Sequence, residues 1–189
     1  MKSTQRFSII EYNKANSEVI TINNDTMREM GIPCVHNWFK CQGNNATLFR
    51  GNREKLKSSL LQEGVPFILK QLIIFNISQK KGCIYCAHAH RLMEDSMSKT
   101  LTDQEGFKVS EHSGSDYIPS AYNTAIRIVT KAALDPASTT HNDFEELRDV
   151  GYTDHEIQEL MNLADLTSMH NTTADISGIK INNELMETK

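Results

Sequence analysis

The chain has 189 residues, with 20 Lys plus Arg against 24 Asp plus Glu and a formal net charge of −4, which is the length of one domain, or of one domain with an ordered arm, able to bury a core without disulfide or metal staples. The basic residues are scattered, so the concentrated positive surface that nucleic acid requires is not expected. No apolar run reaches the roughly 18 residues of a membrane span or follows a secretory leader pattern, so no membrane association is expected and the cytoplasm is the expected compartment.

Hydrophobic residues make up 39% of the chain and the mean hydropathy is −0.46, so part of the apolar surface is expected to be shared with another subunit. Residues 1 to 30 read as a polar N-terminal arm with one short helix, capped at Asp25 and running to Met30, where Gly31 and Pro33 stop it. Val35, Trp38 and Phe39, then Leu48, Phe49, Leu56, Leu60 and Leu61 beyond a Gly43-Asn44-Asn45 break, fit two amphipathic helices. Pro66 opens the most apolar run, Phe67 to Ile77. It lacks alternation and exceeds ordinary strand length, so with Pro66 at N1 it is predicted to be a buried helix ending at Lys80-Lys81-Gly82. A further helix is predicted from Cys83 to Met97.

A polar stretch covers Gly106 to Ser115. Pro119 then starts a helix rich in Ala, Ile and Val that closes at Asp135-Pro136, and a short helix from Asp143 to Val150 ends at Gly151. Thr153 and Glu156 form a capping box that leads into Ile157, Leu160, Met161, Ala164 and Leu166. No hairpin or strand pair competes, so the fold class is all-α with seven or eight helices. The domain layout is an arm at 1–30, one helical domain at 31–180 and a tail at 181–189.

The chemical signal is Cys83-Ile84-Tyr85-Cys86-Ala87-His88-Ala89-His90. Two thiols three residues apart can close a disulfide, and a helix N-terminus, with Lys80 and Lys81 upstream, lowers a thiol pKa. His90 follows Cys86 by four residues and Cys83 by seven, so all three side chains are expected on one helical face, set for proton transfer to and from sulfur. Bland readings compete: cysteines are among the residues most often buried for packing alone. Zinc is another reading, held by Cys83, Cys86 and His90 or His88 with Cys34 or Cys41 as the fourth ligand, but Cys34 and Cys41 do not make the second close pair such a site usually brings. Haem attachment needs His where Ala87 stands, and a thioredoxin fold needs a βαβ unit that is missing.

The pattern Gln71-x6-Ser78-x4-Cys83-x-Tyr85-Cys86-x3-His90 resembles the alkylhydroperoxidase D-like branch of the carboxymuconolactone decarboxylase superfamily. It is most similar to the peroxidase-related members, whose motif reads E-x6-S-x4-C-x-Y-C-x3-H. The downstream succession Asp135-Pro136-Ala137-Ser138, Phe144 to Ile157 and Asn171-x2-Ala174-Asp175 is similar too, so the resemblance spans about residues 30 to 180. It implies an all-helical fold assembled into trimers or hexamers. It also implies a thiol peroxidase or disulfide reductase that needs no metal and no cofactor. Cys86 would be the peroxide-reactive sulfur, Cys83 the resolving sulfur and His90 the relay. Sulfenic acid at Cys86 would collapse to a Cys83–Cys86 disulfide, reset by a dithiol such as a lipoyl domain or a thioredoxin-like protein. Position at the helix terminus alone favours Cys83 as the activated thiol, so both stay candidates.

The family glutamate is Gln71 here. An amide positions a proton but does not accept it, and general-base help is typically worth about 10²- to 10⁴-fold, so slow hydroperoxide turnover is expected. The same substitution motivates the alternative, a redox-responsive scaffold or sensor that keeps the C-x-x-C without efficient catalysis. Lactone decarboxylation does not call for paired thiols. Ser78 is expected to satisfy local backbone or donate to a thiolate, Tyr85 to wall a pocket, and His88 to lie at the surface or an interface. Asn171 and Asp175 are expected at helix ends and interfaces, and His36, Trp38 and Cys41 in the core or a subunit contact.

Overall fold

Pro66 and Gly82 bracket the helix around which the others are arranged. A computed structural model describes residues 5–98 and 118–182, the side chains of Glu94 and Ser96 excepted. Among these it contains eight α-helices and no strand, the all-α class expected from the sequence. In chain order they are α1 (Ser17–Met30), α2 (Asn37–Lys40), α3 (Ala46–Leu60), α4 (Phe67–Lys81), α5 (Ile84–Ser96), α6 (Ser120–Leu134), α7 (His141–Asp149) and α8 (Asp154–Ser177). The polar stretch from Gly106 to Ser115 lies outside the described residues.

Helix α4 packs against α5, α6 and α8. Its apolar residues are not confined to one stripe, and Leu69, Leu72, Ile73, Ile74 and Ile77 are all fully buried. Each such side chain contributes roughly 1.5–3 kcal/mol on leaving water. A helix apolar all round is stable only when others surround it. Pro66 occupies the N-cap of α4, with φ −54° and ψ 135°, rather than the N1 place expected.

The first helix differs more. Helix α1 starts at Ser17, where the Asn16 side chain accepts the Val19 N–H; Asp25 lies inside it. Val19, Ile22 and Thr26 are buried along one face, so a sequence that looks polar throughout still carries a thin apolar stripe that earns burial beside α3. The predicted stop at Gly31 holds, with φ +64°. At the other end α8 runs 24 residues under the expected Thr153–Glu156 capping box. That box places the helix against α4, α5 and α6. No helix among the described residues is long and apolar enough to cross a membrane.

Candidate active site

The C-terminus of α4 puts the first cysteine in place. Gly82 adopts φ +75°, its N–H donates to Gln79 O at 3.1 Å, and the Cys83 N–H donates to Ser78 O at 3.0 Å. This pair of bonds is a Schellman motif, and its left-handed residue is best supplied by glycine. The Ala87 N–H then donates to Cys83 O, so Cys83 closes α4 and opens α5 in one step. Ser78 does not satisfy local backbone with its hydroxyl, nor does it reach a thiolate. Its Oγ donates to Asn171 Oδ1 at 2.9 Å, pinning α4 to α8. Asn171 is likewise no helix-end contact: it is buried, and its carbonyl oxygen lies 3.9 Å from Cys83 Sγ, which donates to it.

Cys83 and Cys86 are free, buried thiols. The neighbouring Cys83 thiol, followed by burial and the charge of Asp175, pushes the Cys86 thiol well above its ordinary pKa. The expectation of a thiol activated by the helix terminus is therefore reversed at Cys86, because the neighbouring Cys83 thiol and then desolvation oppose the thiolate. Lys81 Nζ donates to Ser168 Oγ at 2.8 Å, a neutral partner that leaves its charge in place.

The cysteines also face different spaces. Cys86, Gln71, Tyr85 and His90 line a cavity of about 230 Å³ whose other walls are mostly apolar. Cys83 and Ser78 line a separate cleft of about 310 Å³, with Ile84, His88 and Arg91 at its edge. Only Cys86 and His90 share a cavity; a C-x-x-C at the start of a helix splits its sulfurs around the first turn, so the expected common face holds for two of the three groups. His88 is half-buried beside the Cys83 cleft.

His90 is buried, and its Nδ1 lies 2.6 Å from Gln71 Oε1. A carboxamide oxygen only accepts, so Nδ1 carries the hydrogen and Nε2 keeps its lone pair. Burial, followed by the charge of His36, lowers the His90 pKa to about 4, so the ring is neutral at pH 7. Tyr85 is a wall of the cavity as expected. Its hydroxyl accepts the Trp38 N–H at 3.2 Å and donates to Asn182 Oδ1 at 2.9 Å. Burial raises its pKa, which keeps the phenol protonated.

One functional candidate was missed. His170 of α8 lines the Cys86 cavity, with its ring centroid 6.2 Å from that of His90 at 19° between planes and 4.5 Å from that of Trp38. Burial, followed by the charge of His90, lowers its pKa to about 3. The available signal was the spacing Leu163, Thr167, His170, Asn171, Ala174, a buried stripe with three polar members. Buried polar groups without a partner cost about 1–3 kcal/mol each, and the Nε2 atoms of both His170 and Gln71 have no hydrogen-bond partner. Trp38 and Cys41 are core residues as expected, but His36 and Trp38 also reach the cavity wall. Among the described residues no group of three His, Cys, Asp or Glu side chains is arranged to hold a metal ion.

No protein-family model matches the chain, and no curated protein matches it at a significant level. Solved structures do. The fold is similar to the alkylhydroperoxidase AhpD core of an uncharacterized peroxidase-related protein from Ralstonia eutropha JMP134, with a TM-score of 0.80 at 20% identity over 95% of this chain and 93% of that one. An uncharacterized peroxidase-related protein from Silicibacter sp. TM1040 is similar to the same degree, with a TM-score of 0.80 at 17% identity over 97% and 95%. The debrominase Bmp8, solved in complex with 2,3,4-tribromopyrrole, follows with a TM-score of 0.67 at 18% identity over 90% and 88%. The shared property is the fold: this chain has the alkylhydroperoxidase D-like helical architecture that its sequence motif resembles.

Proposed function

We propose that this chain uses the alkylhydroperoxidase D-like fold as a thiol-dependent hydroperoxidase or disulfide reductase, cycling Cys83 and Cys86 between dithiol and disulfide. The observation that carries the reading is a pair of free thiols three residues apart at the head of α5, with His90 one turn along in the same cavity as Cys86. At neutral pH the resting state is a Cys86 thiol and a neutral imidazole. When a hydroperoxide enters, the Cys86 proton passes to His90 Nε2 and the sulfur attacks the terminal oxygen. The O–O bond breaks, its electron pair leaves on the alkoxide, and His90 returns the proton to give the alcohol. Cys86 is now a sulfenic acid. Cys83 attacks it, the hydroxyl departs with the Cys83 proton as water, and the disulfide closes. An external dithiol then reduces it by exchange and is itself oxidised.

Gln71 holds His90 in the accepting tautomer but takes no proton, so the imidazole must return the one it receives. Its low basicity and the raised Cys86 pKa both predict slow turnover. The cleft at Cys83 supports that sulfur as the one that meets the reductant, a lipoyl domain or a thioredoxin-like protein. Cys83 is itself fully buried, so exchange requires the first turn of α5 to open. The chain is read as a cytoplasmic homo-oligomer, a trimer or hexamer, checked by the mass found in sedimentation equilibrium.

Replacing Cys86 by Ser should abolish hydroperoxide consumption in the presence of dithiol, and mass spectrometry of oxidised wild-type protein should find Cys83 bonded to Cys86. Consumption that survives in the variant rejects the reading. The weak base also favours a second reading, a redox-responsive scaffold. Under that reading the disulfide forms with oxidant, but added dithiol gives no turnover above the uncatalysed rate.

A further inference from the structure

The residues lining the cavity at Cys86 carry two nitrogens that the dithiol cycle does not use. Gln71 Oε1 is engaged by His90, while Gln71 Nε2 and His170 Nε2 are buried without a partner. Gln71 is fully buried and His170 is 4% exposed. Both belong to the wall of one cavity, and each buried group left unpaired lowers stability. Two residues of one wall, each with an unpaired buried nitrogen and both neighbours of His90, mark a place that a bound molecule completes. None of the described residues lining the cavity is Asp, Glu, Lys or Arg, so an ionised guest would lie there without a counter-charge. A cavity of about 150 Å³ admits benzene. At about 230 Å³ this one has room for a single ring or a branched alkyl body with a small head.

We propose that His170 and Gln71 are specificity-determining residues that together read the O–H-bearing head of a compact, neutral, apolar molecule. The Gln71 amide can only donate from Nε2, so the head must accept. The His170 imidazole offers a lone pair or an N–H according to its tautomer. An O–H group both accepts and donates, and therefore completes Gln71 together with either tautomer of His170. A charged head or a bare hydrocarbon does not. The inference rests on the dithiol reading only in naming the reactive guest, an alkyl or aryl hydroperoxide; binding of its alcohol needs no turnover.

Trp38 is the only tryptophan, and its ring lies against His170, so its fluorescence reports occupancy of the cavity. The probes are cumyl alcohol and cumene, which share a body and differ in the hydroxyl, titrated into reduced wild-type, His170→Phe and Gln71→Met proteins. The expected result is that the ratio of the alcohol dissociation constant to the cumene dissociation constant rises about 2- to 10-fold in each variant, the size of one hydrogen bond. His170→Gln, which keeps a polar atom, should restore part of the ratio and serves in place of His170→Phe if the latter does not fold. An unchanged ratio in the variants, or equal weakening of both probes, overturns the proposal. Absence of a Cys83–Cys86 disulfide after cumene hydroperoxide treatment, with the ratio shifted as expected, would instead overturn the dithiol reading and leave this one standing.

Discussion

Lys70 and Gln71 are neighbours on α4, both with no exposure to solvent, and their surroundings are opposites. Lys70 Nζ pairs with the carboxylate of Glu159 and donates to the carbonyl oxygens of Ser59, Leu60 and Gln62 at 3.2, 3.1 and 2.7 Å. The first two end α3 and the third lies just past its C-cap, where no later turn bonds them. Glu159 in turn accepts the Val65 N–H at 3.2 Å. One residue on, Gln71 keeps a bare Nε2, beside His90 and a His170 with a bare Nε2, two buried imidazoles that are neutral at pH 7. The helical turn of 100° between the two residues separates a cluster whose charges are paired within the chain from one with two unpaired neutral nitrogens. The charge-paired cluster holds the fold; the unpaired one is left for a guest.

The sharpest way to break this contrast is Lys70→Met. It strands the Glu159 carboxylate and three carbonyls in the core, and removing one partner of a buried ion pair costs about 3–5 kcal/mol. The expected outcome is a lower urea midpoint at unchanged slope. Adding Glu159→Leu should recover much of the loss. A Lys70→Met protein as stable as wild type would show that Lys70 is not the anchor of the α3 end.

Acid should act on the other cluster. His90 and His170 titrate near 4 and 3 in the folded chain and near 6.5 when unfolded. Their contribution to stability is therefore complete above pH 6.5 and is lost as pH falls from there toward 4. The loss is at most about 1.4 kcal/mol per pH unit for each ring, since only the unfolded chain takes up the proton. Denaturation curves between pH 7 and 4 check the slope, and His170→Phe should lower it. Equal slopes would place the proton uptake elsewhere.

Gln71→Glu sharpens the comparison from the catalytic side. A carboxylate at that position draws the Nδ1 proton, makes His90 more basic and restores an acceptor to the relay. The maximal rate of Cys86 oxidation should rise at least about tenfold, within the usual range of general-base help. Because the proton passes within the Cys86–His90 pair, the wild-type rate should stay level through pH 7–9. The Gln71→Glu profile should gain an acid limb, where its more basic His90 takes a proton from solvent. Stopped-flow profiles decide both; an unchanged rate and profile would remove the relay from the mechanism.

Much of this was readable beforehand. Continuous apolar character between Pro66 and Gly82 specifies α4, and the Thr153–Glu156 box starts α8, because caps and breakers are local signals. The motif residues Gln71, Ser78, Cys83, Tyr85, Cys86 and His90 are brought together by the α4–α5 junction, another local feature. What was not readable is long-range. Ser78 reaches Asn171 across 93 positions, and His170 enters the cavity only because α8 continues beyond Leu166 to Ser177. The Cys86 thiol pKa rises rather than falls because of the neighbouring Cys83 thiol and then burial, and of these only burial depends on what packs over the helix terminus.

The smallest effect on activity belongs to one of the two residues between the cysteines. Tyr85 stands next to Cys86 and carries an acid–base group, so by sequence it competes with His90 for a chemical role. Its hydroxyl, however, is already committed, accepting from Trp38 N and donating to Asn182, which also receives the Asn37 N–H. It belongs with Lys70 on the completed side of the contrast although it sits inside the motif. Tyr85→Phe should strand the Trp38 N–H and cost about 1–2 kcal/mol in urea unfolding, while the rate of Cys86 oxidation changes less than about threefold. A rate loss of a hundredfold with stability intact would make the phenol a proton donor to the departing alkoxide. Having its hydrogen-bond partners supplied by the chain would then no longer distinguish the groups that hold this fold from those that work in it.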